Sequence, residues 1–131
     1  KEQGQWGGIH AVYNLYNATR LYEFKEFAQT FGLTIKWQNL SMPPALDPRL
    51  YGRDVAELCA RETQRVLQDL HCDQEELALF QSALNTYQGI TTDNPMQLKS
   101  LQEFVNRIEN YHPDTKGSFA RLWPEIAELW Q

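Results

Sequence analysis

Residues 9–40, IHAVYNLYNATRLYEFKEFAQTFGLTIKWQNL, decide the fold of this chain. Residues 9–16 are rich in β-branched and aromatic side chains, which is typical of a strand. The apolar residues that follow recur at helical spacing and predict a helix ending at Gly32: Leu21, Phe24, Phe27, Ala28 and Phe31. Residues 33–40 alternate with period two, so they predict a second strand.

The order strand, helix, strand predicts a βαβ unit with a parallel sheet and a right-handed crossover. Pro43 and Pro44 end the second strand, because consecutive prolines do not fit inside a ladder. A two-stranded parallel sheet is not stable alone, and the rest of the sequence predicts no strand. We therefore expect further strands from a missing N-terminal part of the protein or from a partner chain.

The remaining residues predict about four packed helices. Three of them cover residues 53–70, 73–86 and 95–111, and Pro124 is well placed to begin a short terminal helix. Asp73 and Glu76 have the spacing of a capping box. The fold class is therefore predicted as α/β, with a βαβ unit in residues 1–52 and a helical C-terminal segment in residues 53–131 packing on it.

Composition and charge argue against several classes of partner. Seventeen acidic and twelve basic residues give a net charge of −5, which disfavours binding to nucleic-acid phosphates. No apolar run approaches the ~18 residues of a membrane span, so no membrane partner is expected. Cys59 and Cys72 belong to no CxxC motif, and a reduced, structural pair in a cytoplasmic protein is the expectation.

The usual signatures of catalysis and metal binding are missing from the sequence. His10, His71 and His112 are far apart and form no HxH or HExxH pattern. There is no GxSxG motif, and neither cysteine has a histidine partner at a recognisable spacing. We therefore predict no catalytic residue and no metal ligand in this chain.

Polar side chains cluster at the ends of both predicted strands, the edge where parallel α/β folds bind ligands. Asn14 and Asn17 end the first strand, and Asn39 and Met42 end the second. Asparagine amides offer both donors and acceptors to a ligand such as a nucleoside. The alternative for Asn17 is a purely structural role as a helix cap.

The order of residues in this region resembles the fifth and sixth strands of radical S-adenosylmethionine (SAM) enzymes. The resemblance rests on residues 10–17 (HAVYNLYN), 21–24 (LYEF), 31–33 (FGL) and 39–43 (NLSMP). Residues 101–105 (LQEFV) and 119–126 (FARLWPEI) are similar to the end of twitch-domain radical SAM proteins. Together these stretches extend the resemblance over residues 8–130.

The resemblance implies that the two strands are the last two of a partial (β/α)6 TIM-like barrel, closed by the helical segment. In the complete enzyme, SAM and a [4Fe-4S] cluster generate the radical. Asn14 and Asn17 would lie near the SAM ribose, and the stretch from Asn39 to Met42 near the adenine. The CxxxCxxC motif that holds the cluster is absent, so this chain is expected to hold no cofactor and perform no catalysis alone.

Two other classes of function remain open. One is a non-catalytic α/β-helical interaction module that completes its sheet by oligomerisation, with Trp123 and Trp130 as anchors for a partner. The other is a structural protein that forms a homo-oligomer for the same reason. The pairing partner of the first strand distinguishes these two from a piece of a radical SAM enzyme.

Overall fold

The computed structural model describes residues 8–38 and 47–130. It begins with strand β1 (Gly8–Val12), helix α1 (Leu15–Ala18), helix α2 (Leu21–Thr30) and strand β2 (Thr34–Gln38). The two strands are parallel neighbours in one sheet, with a register that sets His10 opposite Lys36. The predicted βαβ unit is therefore confirmed, within a chain that is mostly helical.

The first strand is shorter than the sequence predicted. It ends at Val12, and the short helix α1 begins where residues 13–16 were expected to continue the strand. Asn14 causes the change, because its side-chain oxygen accepts hydrogen bonds from the backbone N–H groups of Tyr16 and Asn17 at 3.0 and 3.1 Å. Such local bonds compete with strand pairing, and here they prevail over β propensity.

Five α-helices follow within the described residues. They are α3 (Arg53–Asp69), α4 (Gln74–Gln88), α5 (Pro95–Tyr111), α6 (Ser118–Leu122) and α7 (Pro124–Ala127). The first three agree with the prediction within two residues, and the capping box of Asp73 and Glu76 at the start of α4 is confirmed. The C-terminal end differs, since it forms two short helices where one was expected.

Three apolar clusters hold these elements together. The largest joins α1, α3, α4, α5 and the C-terminal helices, and its side chains include Leu15, Tyr51, Val55, Cys59, Tyr87, Leu101, Phe119 and Ile126. A second cluster lies between the sheet and α2, and a third joins α2, α3 and α4. The helical segment therefore packs directly on the βαβ unit, with side chains from both in one core.

Among the residues that the structure describes, helices cover one face of the sheet. Side chains alternate across a strand, so Ala11 and Ile35 face α2 and are buried. The side chains of the other face are exposed, and we call this set the open face: His10, Val12, Thr34, Lys36 and Gln38. Parallel sheets usually have both faces covered, so an exposed and largely polar face is unusual.

No helix in residues 8–38 and 47–130 is long and apolar enough to cross a membrane.

Candidate functional site

Asn14 and Asn17 lie together just beyond the carboxyl end of β1, and they cap each other. The Asn14 N–H donates to Asn17 Oδ1 at 2.8 Å, and the Asn17 N–H donates to Asn14 Oδ1 at 3.1 Å. Asn17 Nδ2 also donates to the Val12 carbonyl at 2.8 Å. Both ends of the Asn17 amide are thus used to join β1 to α1, which is the capping role that the sequence left open.

Asn14 keeps one group that a ligand could use. Its Nδ2 makes no hydrogen bond to any residue in the described parts of the chain, whereas its Oδ1 accepts two. Asn14 is half-buried, so this donor lies near the surface at the strand end. Asn39 and Met42, the other two predicted cofactor-binding residues, lie outside the described residues.

The open face leads directly to this strand end. His10 lies opposite Lys36, and Val12 lies opposite Gln38, in the register of the sheet. Neighbouring strands are about 4.8 Å apart, so these side chains form one continuous surface. The surface combines a cationic amine, an imidazole and an amide, all of which donate hydrogen bonds.

One side of the βαβ unit is uncovered at both of its layers. Within the part of the chain that the structure describes, β1 pairs only with β2, which leaves its far edge without a strand. Phe27 of α2 and Phe31, the residue that caps this helix, are 53% and 63% exposed, and their ring centroids are 4.9 Å apart. Phe27 lies on the flank of α2 that faces away from α4. We call this side, the β1 edge with Phe27 and Phe31, the uncovered side.

The opposite flank of α2 is covered by α4. Lys25, about 200° around the helix from Phe27, is buried and donates to Glu76 of α4 at 2.8 and 2.9 Å. Trp37 of β2 donates from its indole N–H to the same carboxylate at 3.0 Å. Within residues 8–38 and 47–130, α4 therefore packs against the β2 side of the unit, and no helix or strand pairs with the far edge of β1.

No family model matches this chain, and no curated protein or solved structure is significantly similar to it. Function is therefore inferred from the chain's own residues.

The two cysteines show no feature of a metal site. No group of three or more His, Cys, Asp or Glu in residues 8–38 and 47–130 is placed to hold a metal ion. Cys59 is buried and Cys72 half-buried, and both are free thiols. Burial raises the pKa of each thiol above its ordinary value, so both stay protonated at neutral pH. Nucleophilic attack by a cysteine needs the thiolate, which burial disfavours at both residues.

The sequence did not reveal that Arg20 fastens the C-terminal helices to the βαβ unit. Its Nε donates to Glu125 at 2.7 Å, its guanidinium lies 5.2 Å from the centre of the Trp123 ring, and it also donates to the Leu122 carbonyl. Trp123 packs against Tyr16, with 4.8 Å between ring centroids. Trp123, a candidate partner anchor in the sequence, is thus half-buried against the fold.

Proposed function

We propose that this chain forms the C-terminal part of a radical SAM enzyme and supplies one wall of its SAM and substrate cavity. The observation that carries the proposal is a parallel sheet with helices on one face and polar side chains on the other. In a β/α barrel the helices surround the strands, and the inner face of the strands surrounds the centre. His10, Lys36 and Gln38 would then face the cavity.

The uncovered side supports the same architecture. A barrel that continues before β1 adds a parallel strand to its far edge and a helix beside α2. The first addition satisfies the backbone groups along the β1 edge, and the second buries Phe27 and Phe31. A further β/α unit would pair with the strand edge and bury the apolar flank of the helix at the same time. A small molecule would not do both.

The cofactors would be held mainly by the remaining part of the enzyme, which must carry the CxxxCxxC motif. Bound SAM and a [4Fe-4S] cluster supply the radical chemistry, for which the protein provides binding and orientation. In this chain Asn14 Nδ2 is the donor available to the SAM ribose. By resemblance Asn39 and Met42 lie near the adenine, and Asn17 holds the strand end in shape.

A second candidate function is a non-catalytic module that forms a homo-oligomer through the uncovered side. The same strand edge and aromatic pair favour it, because two copies related by a twofold axis would join their sheets into one. Sedimentation of the purified chain tests this alternative. A stable dimer that Phe27→Glu dissociates would favour it, whereas a monomer would count against it.

The enzyme proposal is tested by co-expressing this chain with a CxxxCxxC polypeptide from the same source and reconstituting the complex without oxygen. We expect SAM cleavage to 5′-deoxyadenosine only when both chains are present. Asn14→Ser keeps a capping oxygen but removes the Nδ2 donor, and we expect about a tenfold higher KM for SAM, the value of one lost hydrogen bond.

Gln29→Ala is the matched control, because Gln29 is exposed on α2, away from the strand end. It should leave KM unchanged. Cleavage that proceeds equally well without this chain would refute the proposal. So would an Asn14→Ser variant whose kinetics match those of the control.

A further inference from the structure

A cavity of about 350 Å³ lies on the covered side of the sheet, between α4 and the segment from Asp47 to Arg49. This volume lies within the range of small-molecule sites. Tyr13, which directly follows β1, contributes to its wall, so the cavity is at the carboxyl end of the strands, where α/β folds bind ligands. Tyr13 shares the covered side with Trp37, and their ring centroids are 5.9 Å apart.

The wall of the cavity is about half apolar and half polar. Pro48, Leu79 and Ala83 contribute aliphatic groups, and Tyr13 and Tyr87 contribute ring atoms. An aliphatic and aromatic lining of this kind binds the body of a ring through apolar burial.

Ser82 and Thr86 add hydroxyl groups to this lining, and Tyr13 and Tyr87 add a pair of hydrogen-bonded hydroxyls. The oxygens of Tyr13 and Tyr87 are 2.6 Å apart, and Tyr87 is only 2% exposed. Burial raises the pKa of both tyrosines well above the ordinary value, so both hydroxyls are neutral at physiological pH. Tyr13 also hydrogen-bonds to Thr63, and Tyr87 to Cys59. The pair still has lone pairs that can accept from a hydroxyl of the ligand.

The charged groups at the cavity cancel each other. Asp47 accepts hydrogen bonds from Arg49 Nε at 2.9 Å and from Arg49 Nη2 at 2.7 Å, so the two side chains form a bidentate ion pair. The hydrogen bond from Arg49 lowers the pKa of Asp47, which therefore stays ionised and keeps the pair intact at neutral pH. A charged ligand would be buried without a partner, which is unfavourable.

We propose that this cavity binds an uncharged aromatic molecule that carries a hydroxyl group, with the ring against the apolar wall and the hydroxyl at the Tyr13–Tyr87 pair. None of the residues that line the cavity belongs to the open face. The site therefore goes beyond the proposed function and does not depend on it.

Three probes of the same ring size test the ligand class. We would titrate p-cresol, 4-methylbenzoate and 4-methylbenzylamine into the purified chain and follow chemical shifts by NMR. We expect saturable binding of neutral p-cresol and at least about tenfold weaker binding of both charged probes, because their charge would be desolvated without a partner. Tighter binding of a charged probe, or no p-cresol binding up to its solubility limit, would overturn the proposal.

Two tryptophan substitutions on α4 test the location. Ala83 lines the cavity, so Ala83→Trp should fill it and abolish p-cresol binding. Ala78 is exposed on the same helix, so Ala78→Trp should bind p-cresol as the unchanged chain does. If Ala83→Trp does not fold, Tyr87→Phe decides, because losing one hydroxyl should weaken p-cresol binding by roughly three- to tenfold. Unchanged binding in the decisive variant would overturn the location.

Discussion

The two faces of the sheet differ in how deeply their side chains are buried, although these side chains alternate along the same strands. Ile35 is 5% exposed beneath α2, and its neighbour Lys36 lies on the open face in contact with solvent. On the covered face, tightly packed side chains hold the fold together. On the open face, polar side chains lie in a row with little packing. Stability therefore depends on the covered face, and the proposed function depends on the open face. Substitutions can change stability without changing the proposed function, and the reverse.

The covered face includes an ion pair that joins three elements. Glu76 of α4 accepts from Lys25 of α2 and from Trp37 of β2, and its side chain also accepts from the Asp73 N–H at 3.2 Å. Lys25 and Glu76 are 9% and 6% exposed at their side chains. Buried charges of this kind are costly unless both partners are present.

The largest effect is expected from Glu76→Gln, which leaves the Lys25 ammonium buried without its counter-charge. We expect it to lower the free energy of unfolding by about 3–5 kcal/mol, measured by urea denaturation. The double variant Lys25→Met with Glu76→Leu should recover a large part of that loss, since no charge stays buried. A loss below about 1 kcal/mol in the single variant would show that solvent reaches this pair.

Ile35→Ala should rank next, because it removes a buried side chain between the sheet and α2. We expect a loss of about 2–4 kcal/mol in the free energy of unfolding, from lost apolar burial and from the cavity left behind. Urea denaturation measures this loss as well. A change within about 0.5 kcal/mol is typical of surface sites. Such a result would contradict the claim that the covered face stabilises the fold more than the open face does.

A smaller effect, dependent on pH, is expected at Arg20 and Glu125, which belong to neither face. Burial raises the pKa of Glu125, but the hydrogen bond and charge of Arg20 outweigh it, so the pKa lies below its ordinary value of 4.5. A carboxylate with a lowered pKa stabilises the fold above its ordinary pKa and loses that contribution as the pH falls.

Glu125→Gln should therefore cost about 1 kcal/mol at neutral pH, and the cost should shrink as the pH falls below 4.5. Thermal unfolding of both chains across this pH range measures the difference. A gap that stays constant from neutral to acidic pH would show that the carboxylate charge contributes nothing.

The smallest effect is expected on the open face. Lys36→Thr keeps a good strand former at an exposed position, so the free energy of unfolding should change by at most about 0.5 kcal/mol. The matched comparison is Ile35→Ala, one residue earlier in the same strand. A loss from Lys36→Thr as large as that from Ile35→Ala would mean that the open face also holds the fold together.

The elements with strong periodicity could be predicted from the sequence, and those governed by single side chains could not. The α2 and α3 helices form where their apolar spacing predicts them. In α2, however, Phe27 is exposed and Lys25 is buried, which the apolar pattern did not predict. The end of β1 was placed too late, because Tyr13, Leu15 and Tyr16 favour strands while the capping by Asn14 decides the structure. The spacing of Asn14 and Asn17 was the signal that could have revealed α1.

The candidate sites depend on contacts between residues far apart in the sequence. Tyr13 and Tyr87 are separated by 74 positions, so the cavity between them leaves no local pattern in the chain. Alternation shows which strand residues share a face, but the face that α2 covers depends on how the crossover packs. The sequence showed that the strand ends are polar. Only the contacts show that Asn17 joins β1 to α1 through its side-chain amide.

The contact between Arg20 and Glu125 has a consequence for how the protein is made. Its partners are 105 positions apart. A ribosome adds roughly 5–20 residues per second, so about 5–20 s pass between the synthesis of the two. During that interval Tyr16 and Arg20 lack Trp123 and Glu125, and their apolar surface is open to other nascent chains. The α1 and α2 helices are thus synthesised before the C-terminal helices that they contact, and the Arg20–Glu125 contact can form only after Glu125 has been made.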